Sequence, residues 1–262
     1  EEGRYYVWTV EELNQLIPEG QDRNLFYTYN DIRPQGNWEH NNNILQRHRS
    51  GEELARQFKI STEVFYASIA KTNQLLLEKR NTRIAPGLDD KILTSWNGLM
   101  LQGYIDAYRV TGSMEYLNRA RKNADFIVRE MIKDGYRLDR NYKNGKSTIN
   151  GFLDDYAITI QAFLSMYQAT FEPAWLEHAK GLTDHVLAHF DGDSSGFFFF
   201  TSNLDPPLVA RRIDFSDNVI PSANSIMARD LLLLGELLYD TAYEERSRQM
   251  FNQVWPRLKK DG

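Results

Sequence analysis

A chain of 262 residues, 42% hydrophobic and 13% aromatic, carries enough apolar side chain for one large core or two smaller ones, and none of it has a disordered composition. Its formal net charge of -5 and pI near 5.6 arise from interspersed acids and bases, which argues against nucleic acid as a partner. The absence of cysteine excludes disulfides, thiol nucleophiles and cysteine-ligated metals and fits a reducing, cytoplasmic setting, while no apolar run approaches the ~20 residues that span a membrane.

The opening Glu1-Glu2-Gly3-Arg4-Tyr5 reads as the middle of a longer chain. Thr9 followed by Glu12, ahead of Leu13, Leu16 and Ile17, predicts a capping box and a short helix that Pro18 and Gly20 end. From Tyr27 to Arg49 the chain is rich in Asn, Gly, Pro and aromatics and reads as an ordered loop; His40 and His48 within it lack a carboxylate cluster and read as surface residues. Residues 1–60 are therefore expected to form an irregular segment with one short helix, packed on a main body of residues 61–262. Ser61 caps the first helix of that body, with Val64, Phe65, Ile69 and Leu76 on its apolar positions and Arg80 near its end.

From Gly87 onward one layout occurs three times. An acidic or amide-rich loop enters an almost uncharged helix, and a charged amphipathic helix returns. The hairpins are predicted at about 96–134, 155–190 and 222–258. Leu99, Met100, Leu101, Tyr104, Ile105, Ala107 and Tyr108 leave the first uncharged helix no wet face before Gly112 stops it. Its partner places Leu117, Ala120, Ala124, Ile127 and Met131 against Arg119, Arg121, Lys122, Asp125, Arg129 and Lys133 and has one wet face. Alternation of buried and half-wet helices implies two layers, so the predicted class is all-α: an (α/α) toroid of helical hairpins, incomplete over this length, with a stacked solenoid as competitor. Asn144-Gly145 and Asp205-Pro206-Pro207 predict short β-hairpins in the loops at one end, the first between Tyr136-Arg137-Leu138 and Lys146 to Ile149, the second between Gly196 to Thr201 and Leu208-Val209-Ala210.

Parallel inner helices would gather their N-termini, and the acids before them, at one mouth. Asp90 and Asp155 are the candidate catalytic acid and base. Asp89, Trp96, Asn97, Asp154, Tyr156, Asp217, Ser222 and Asn224 are candidate substrate-binding groups, since paired carboxylates flanked by aromatics and amides suit a polyhydroxylated ring. The competing reading makes the same Asp, Asn and Ser residues helix caps in a scaffold without catalysis. Lys91, Arg211 and Arg212 read as solvated or ion-paired. His185 and His189, four apart, fall on a predicted outer helix without an adjacent Glu, so neither a metal nor a cofactor is expected; nor is there a glycine-rich phosphate loop or a serine-hydrolase elbow.

The run Asp89-Asp90-Lys91-Ile92-Leu93-Thr94-Ser95-Trp96-Asn97-Gly98-Leu99 resembles the signature of thioredoxin-domain-containing proteins of the YyaL and spermatogenesis-associated protein 20 type. Tyr5-Tyr6-Val7-Trp8-Thr9, Gly36-Asn37, Asn43-Ile44-Leu45, Leu153-Asp154-Asp155-Tyr156-Ala157, Gly196-Phe197-Phe198-Phe199 and Pro221-Ser222-Ala223-Asn224-Ser225 add to the resemblance, which covers nearly the whole chain. It implies the C-terminal toroid of such a protein, similar to six-hairpin glycosidases and N-acylglucosamine 2-epimerases and partnered by a thioredoxin-like domain; the small sugar expected as ligand rests on the residues of the mouth. Epimerases of the related fold use histidines as acid and base, and the inner helices here offer none.

Overall fold

The computed structural model describes residues 3–192, 195–206 and 209–261, with side chains through residue 255. Two compact units divide the chain, Glu1–Asp89 and Asp90–Gly262.

The first unit holds α1 (Val10–Leu16), α2 (Gln21–Tyr29), α3 (Gly51–Phe58) and α4 (Thr62–Asn81). Hydroxyl caps open three of them: Thr9 accepts the Glu12 N–H at 3.1 Å, Ser50 that of Glu53 at 3.1 Å, and Ser61 that of Val64 at 3.3 Å. Glu12 does not close a capping box. Its carboxylate meets the Arg83 guanidinium at 2.6 Å, which also donates to the carbonyls of Tyr5 and Val7 and lies 4.0 Å from the Trp8 ring centre. The loop from 30 to 49 is held by reciprocal amide clamps: Asn37 exchanges hydrogen bonds with the backbone of Ile44, and Asn43 with that of Arg33. Sequence expectation put one helix before residue 60 and assigned the Ser61 helix to the main body. The described residues form three α-helices there, and α4 belongs to this first unit, because Phe65, Ile69 and Leu76 share a core with Leu13, Leu25, Phe26 and Leu54.

The second unit runs through β1 (Ile92–Leu93), α5 (Thr94–Thr111), α6 (Met114–Phe126), β2 (Asp139–Lys143), β3 (Lys146–Asn150), α7 (Leu153–Thr170), α8 (Pro173–His189), α9 (Ala223–Leu238) and α10 (Thr241–Asp261). The helices pair as three hairpins, α5 with α6, α7 with α8 and α9 with α10, and α7 also packs on both α5 and α9. Thus α5, α7 and α9 form one layer, backed by the three return helices. Helices α5 and α7 run parallel: Ser95 meets Asp155 at their N-terminal ends, and Arg109 meets Ser165 and Gln168 near their C-terminal ends. The nearly uncharged α7 is the centre of the core, burying Tyr156, Ile158, Ile160, Phe163, Leu164 and Met166, while α6 and α8 bury single stripes, Leu117, Ala120 and Ala124 in one and Trp175, Ala179, Leu182 and Val186 in the other. Gly98 marks the close approach of α5 to α7; a Cβ there would stand 2.8 Å from Ile158 Cγ2.

A three-stranded antiparallel sheet, ordered β1-β2-β3, lies beside the N-termini of α5 and α7. Asn144 and Gly145, at φ 52° and 75°, form its turn as their sequence predicts. The strand before that turn starts at Asp139, and of the predicted Tyr136 to Leu138 segment only Leu138 makes a bridge, to Ile132. The second predicted hairpin is replaced by isolated bridges from Asp191 to Phe198 and from Phe199 to Ile213. Pro207 and Leu208, placed in that hairpin, lie outside the described residues.

Candidate active site at the mouth of the inner layer

A continuous chain of hydrogen bonds ties the three inner N-termini together. Ser95 N–H donates to Asp155 Oδ1 at 3.1 Å, Leu153 N–H to the Phe200 carbonyl at 2.9 Å, and Phe198 N–H to Asn224 Oδ1 at 2.8 Å. The Phe198 to Phe200 segment therefore spans from α7 to α9, and the Asp155 carboxylate spans from α7 to α5.

Asp155 sits at the third position of α7, where its side chain accepts the Phe152 N–H at 3.0 Å, the helix-capping half that only an acid or amide at that position supplies. Its Oδ2 also accepts from Arg140 at 2.8 Å, and the same guanidinium nitrogen reaches Asp154 Oδ1 at 3.4 Å. Arg140 thus bridges two successive carboxylates of unequal environment, the Asp155 side chain 0% exposed and that of Asp154 24%. Burial, with the adjacent Asp154 charge adding to it, pushes the Asp155 carboxyl up to about 6, against the opposing pull of Arg140 and the Phe152 N–H. A carboxyl in that position can hold a proton near neutral pH beside a more exposed neighbour, the division of labour that acid and base chemistry on glycosidic bonds uses.

The other expected residues are placed as follows. Asp90 is exposed and pairs with Lys143 at 2.5 Å, and that hydrogen bond holds its carboxyl below the ordinary range. Asp89 is exposed at the end of the first unit. Trp96, in the first turn of α5, is 70% exposed. Asn97 donates to the Leu93 carbonyl at 2.9 Å and Asn123 donates to its carbonyl at 3.0 Å. Tyr156 is wholly enclosed: its hydroxyl accepts the Leu138 N–H at 2.8 Å and its ring stacks on His185 at 5.3 Å between centres. Asp217 accepts the Ser222 N–H at 2.8 Å and the Ser225 hydroxyl at 3.0 Å, while Ser222 caps α9 by accepting the Ser225 N–H at 3.1 Å. Asn224, buried, also donates to the carbonyls of Phe198 and Asp214.

Sequence reasoning missed Arg140 and Phe152. A basic residue in a short strand carries no signal by itself; its value comes from register, since the sheet aims Arg140 at the start of α7 and rests its guanidinium 4.7 Å from the Phe152 ring centre.

The family model for Glycosyl hydrolase family 76 matches residues 87–200, the stretch that contains α5 to α8 and the bridged carboxylates. Among solved structures, the GH76 α-mannanase of Bacteroides thetaiotaomicron superposes with a TM-score of 0.52 at 15% identity, over 66% of this chain and 46% of that one. Cellobiose 2-epimerase of Bacillus thermoamylovorans gives 0.50 at 12% identity, over 78% and 57%. The class is that of six-hairpin glycosidase-like α/α toroids, as the hairpin repeat predicts, and the described residues of the second unit supply three of its hairpins.

The particular relationship is the one its motifs carry, to spermatogenesis-associated protein 20. The human protein of that name is 33% identical over 261 residues, 89% of this chain and 33% of that protein. The chain spans about a third of the length of the curated relatives it matches. No helix among the described residues is long and apolar enough to cross a membrane.

Proposed function

We propose that the chain is a carbohydrate-binding module, carbohydrate-processing in its intact protein, whose ligand enters at the N-terminal mouth of the inner layer. The observation that supports this reading best is the Arg140-bridged pair Asp154 and Asp155, an exposed carboxylate beside a buried one at the start of α7. In this proposal Asp154 meets the sugar, Asp155 is the proton-holding member behind it, and Asp90, kept ionised by Lys143, is the second charged carboxylate of the mouth. Trp96 stacks on the sugar face, with Asn97, Asp217, Ser222 and Asn224 fixing the loops that shape the entrance. The names of the neighbours point to manno-oligosaccharides and cellobiose as probes.

The test is a titration of the chain with α-linked manno-oligosaccharides and cellobiose, followed by tryptophan fluorescence. A saturable signal that Trp96→Phe removes and Asp154→Asn weakens about tenfold is expected, the worth of one charge-assisted hydrogen bond. No response to any sugar, or an unaltered one in Asp154→Asn, refutes the reading.

A second reading has its own support. Asp155, Asp217 and Asn224 spend their hydrogen bonds on backbone groups, as they would in a helical scaffold for the thioredoxin-like domain that the resemblance implies. In that case Asp154→Asn is silent in every assay, and Asp155→Asn lowers stability alone.

A further inference from the structure

Away from the mouth, the three inner helices line an open polar cleft of about 270 Å³. Its walls are Gln102, Asp106 and Arg109 of α5, Gln161 and Ser165 of α7, and Arg229 and Asp230 of α9, with other residues between them. Gln161 lies seven residues along α7 from Asp154, about 10 Å further down the helix axis. The cavity is therefore separate from the bridged carboxylates and does not depend on the reading of the mouth.

What distinguishes it is a set of polar groups without partners. Asp230 is 1% exposed, makes no hydrogen bond among the described residues, and has its Oδ2 fully enclosed. Gln102 donates to Asp106 at 2.9 Å while its Oε1 is enclosed and unpartnered. Gln161 and Arg229 make no hydrogen bond or ion pair among the described residues. Arg109, by contrast, is occupied: it lies 3.7 Å from Asp106 and donates to the Ser165 carbonyl and to Gln168. A fold gains nothing from enclosing a carboxyl and an amide oxygen without partners in one place, and native interiors rarely do so. A ligand would supply the missing partners.

The charges select its class. Burial pushes the Asp230 carboxyl well above its ordinary range, against the opposing pull of the Arg229 charge. Arg109 is paired with Asp106, which leaves the Arg229 guanidinium as the lining cation without an ion pair among the described residues. The free fork of Arg229 matches a carboxylate in two-point contact, whereas a phosphate dianion would leave excess negative charge facing Asp106. The amides of Gln102 and Gln161 accept and donate to hydroxyls, and a cavity at the lower end of the ~300–1,000 Å³ range of ligand pockets admits a monosaccharide-sized molecule. We propose that this cavity binds a small polyhydroxylated monocarboxylate, an acid of a single sugar, with Arg229 holding the carboxylate and Gln102, Gln161 and Asp230 the hydroxyls.

Calorimetric titration of the 262-residue chain with D-gluconate, D-glucuronate, glucose and inorganic phosphate tests this. At least one of the two acids should bind saturably, with glucose and phosphate weaker by about tenfold or more, the worth of one lost charge-assisted contact. Arg229→Gln should reduce acid binding by a similar factor, and Arg229→Lys, which keeps the charge and loses the fork, should fall between. Arg229 is exposed, so both variants should fold; matching thermal unfolding of the variants and the parent verifies it. Asp154→Asn should leave acid binding unchanged, which separates this site from the mouth. No saturable binding of either acid, glucose or phosphate binding as tightly as the acids, an Arg229→Gln variant that binds normally, or loss of binding in Asp154→Asn each overturns the proposal.

Discussion

Asp155 Oδ1 accepts the backbone N–H of Ser95 at 3.1 Å across the interface between α7 and α5, so a single enclosed carboxylate caps its own helix and anchors the start of another. Replacing it with Asn leaves one oxygen for two backbone donors and turns an amide N–H₂ either toward the Ser95 N–H or toward the Phe152 N–H and Arg140, which share Oδ2. Asp155→Asn should therefore lower the unfolding free energy by about 1–3 kcal/mol, the cost of leaving a buried donor unmet. Urea denaturation measures it. Asp154→Asn, with a part-exposed side chain, serves as the comparison and should change stability by much less.

Gly98 should not tolerate a methyl group. The added Cβ would meet Ile158 Cγ2 at 2.8 Å, and a β-branched side chain packed in a helix has no second rotamer to retreat to. Gly98→Ala is expected to cost about 1–3 kcal/mol by overpacking, partly offset by up to ~1 kcal/mol of helix propensity. In an Ile158→Ala background the same substitution should be neutral or stabilising. Equal cost in both backgrounds would show that the α5 to α7 contact is not the cause.

Asn224 should matter through the loop it holds. Its amide makes three hydrogen bonds, two with Phe198 and one with the Asp214 carbonyl, and Asn224→Ala leaves all three backbone groups wanting. The amide of Phe198 should then exchange with deuterium faster by about tenfold or more, in line with a local loss above roughly 1.4 kcal/mol. Unchanged exchange at Phe198 would argue that the bridges to Asp191 and Ile213 hold the segment unaided.

The hairpin repeat was legible because its signal is periodic. The uncharged run of α7 after Asp155 and the stripes of α6 and α8 state burial directly, and Gly112, at φ 66°, stops α5 where the pattern ends. Division of the chain was less legible, since the pattern of Phe65, Ile69 and Leu76 says that α4 is amphipathic and leaves open which core receives it. Side-chain direction at the mouth was not legible at all. Asp155 and Asp90 read alike as acids before a helix, and only the fold turns one inward onto Ser95 and Phe152 and leaves the other outside with Lys143. Arg140 shows the same limit from the other side, since its role arises from the register of β2 on β3.

The Asp155 proton should be visible in the pH dependence of folding. Its carboxyl is raised from 3.8 to about 6 by burial first and the Asp154 charge second, while Arg140 opposes the rise. Below pH 3.8 the group is protonated in both folded and unfolded chains, and the neutral form fits the interior. Between 3.8 and about 6 the unfolded chain releases the proton and the folded chain keeps it, so this contribution falls as pH rises and is lost above about 6. Asn at position 155 stays neutral throughout. The unfolding free energy of the parent minus that of Asp155→Asn should therefore decline across this window and level off above it. Subtraction removes other titrations, such as the carboxyls of Asp31 and Glu172, which arginine partners lower and which act in the opposite sense. In Asp154→Asn the window should contract toward lower pH, because a like charge has gone. In Arg140→Met it should extend upward, because the compensating cation has gone. Denaturation midpoints at half-unit pH steps for the parent and the two single variants, each against its own Asp155→Asn version, measure all three. A difference curve flat from pH 4 to 7 would mean that Asp155 stays ionised in the folded chain, with Arg140 and the two backbone donors outweighing its burial.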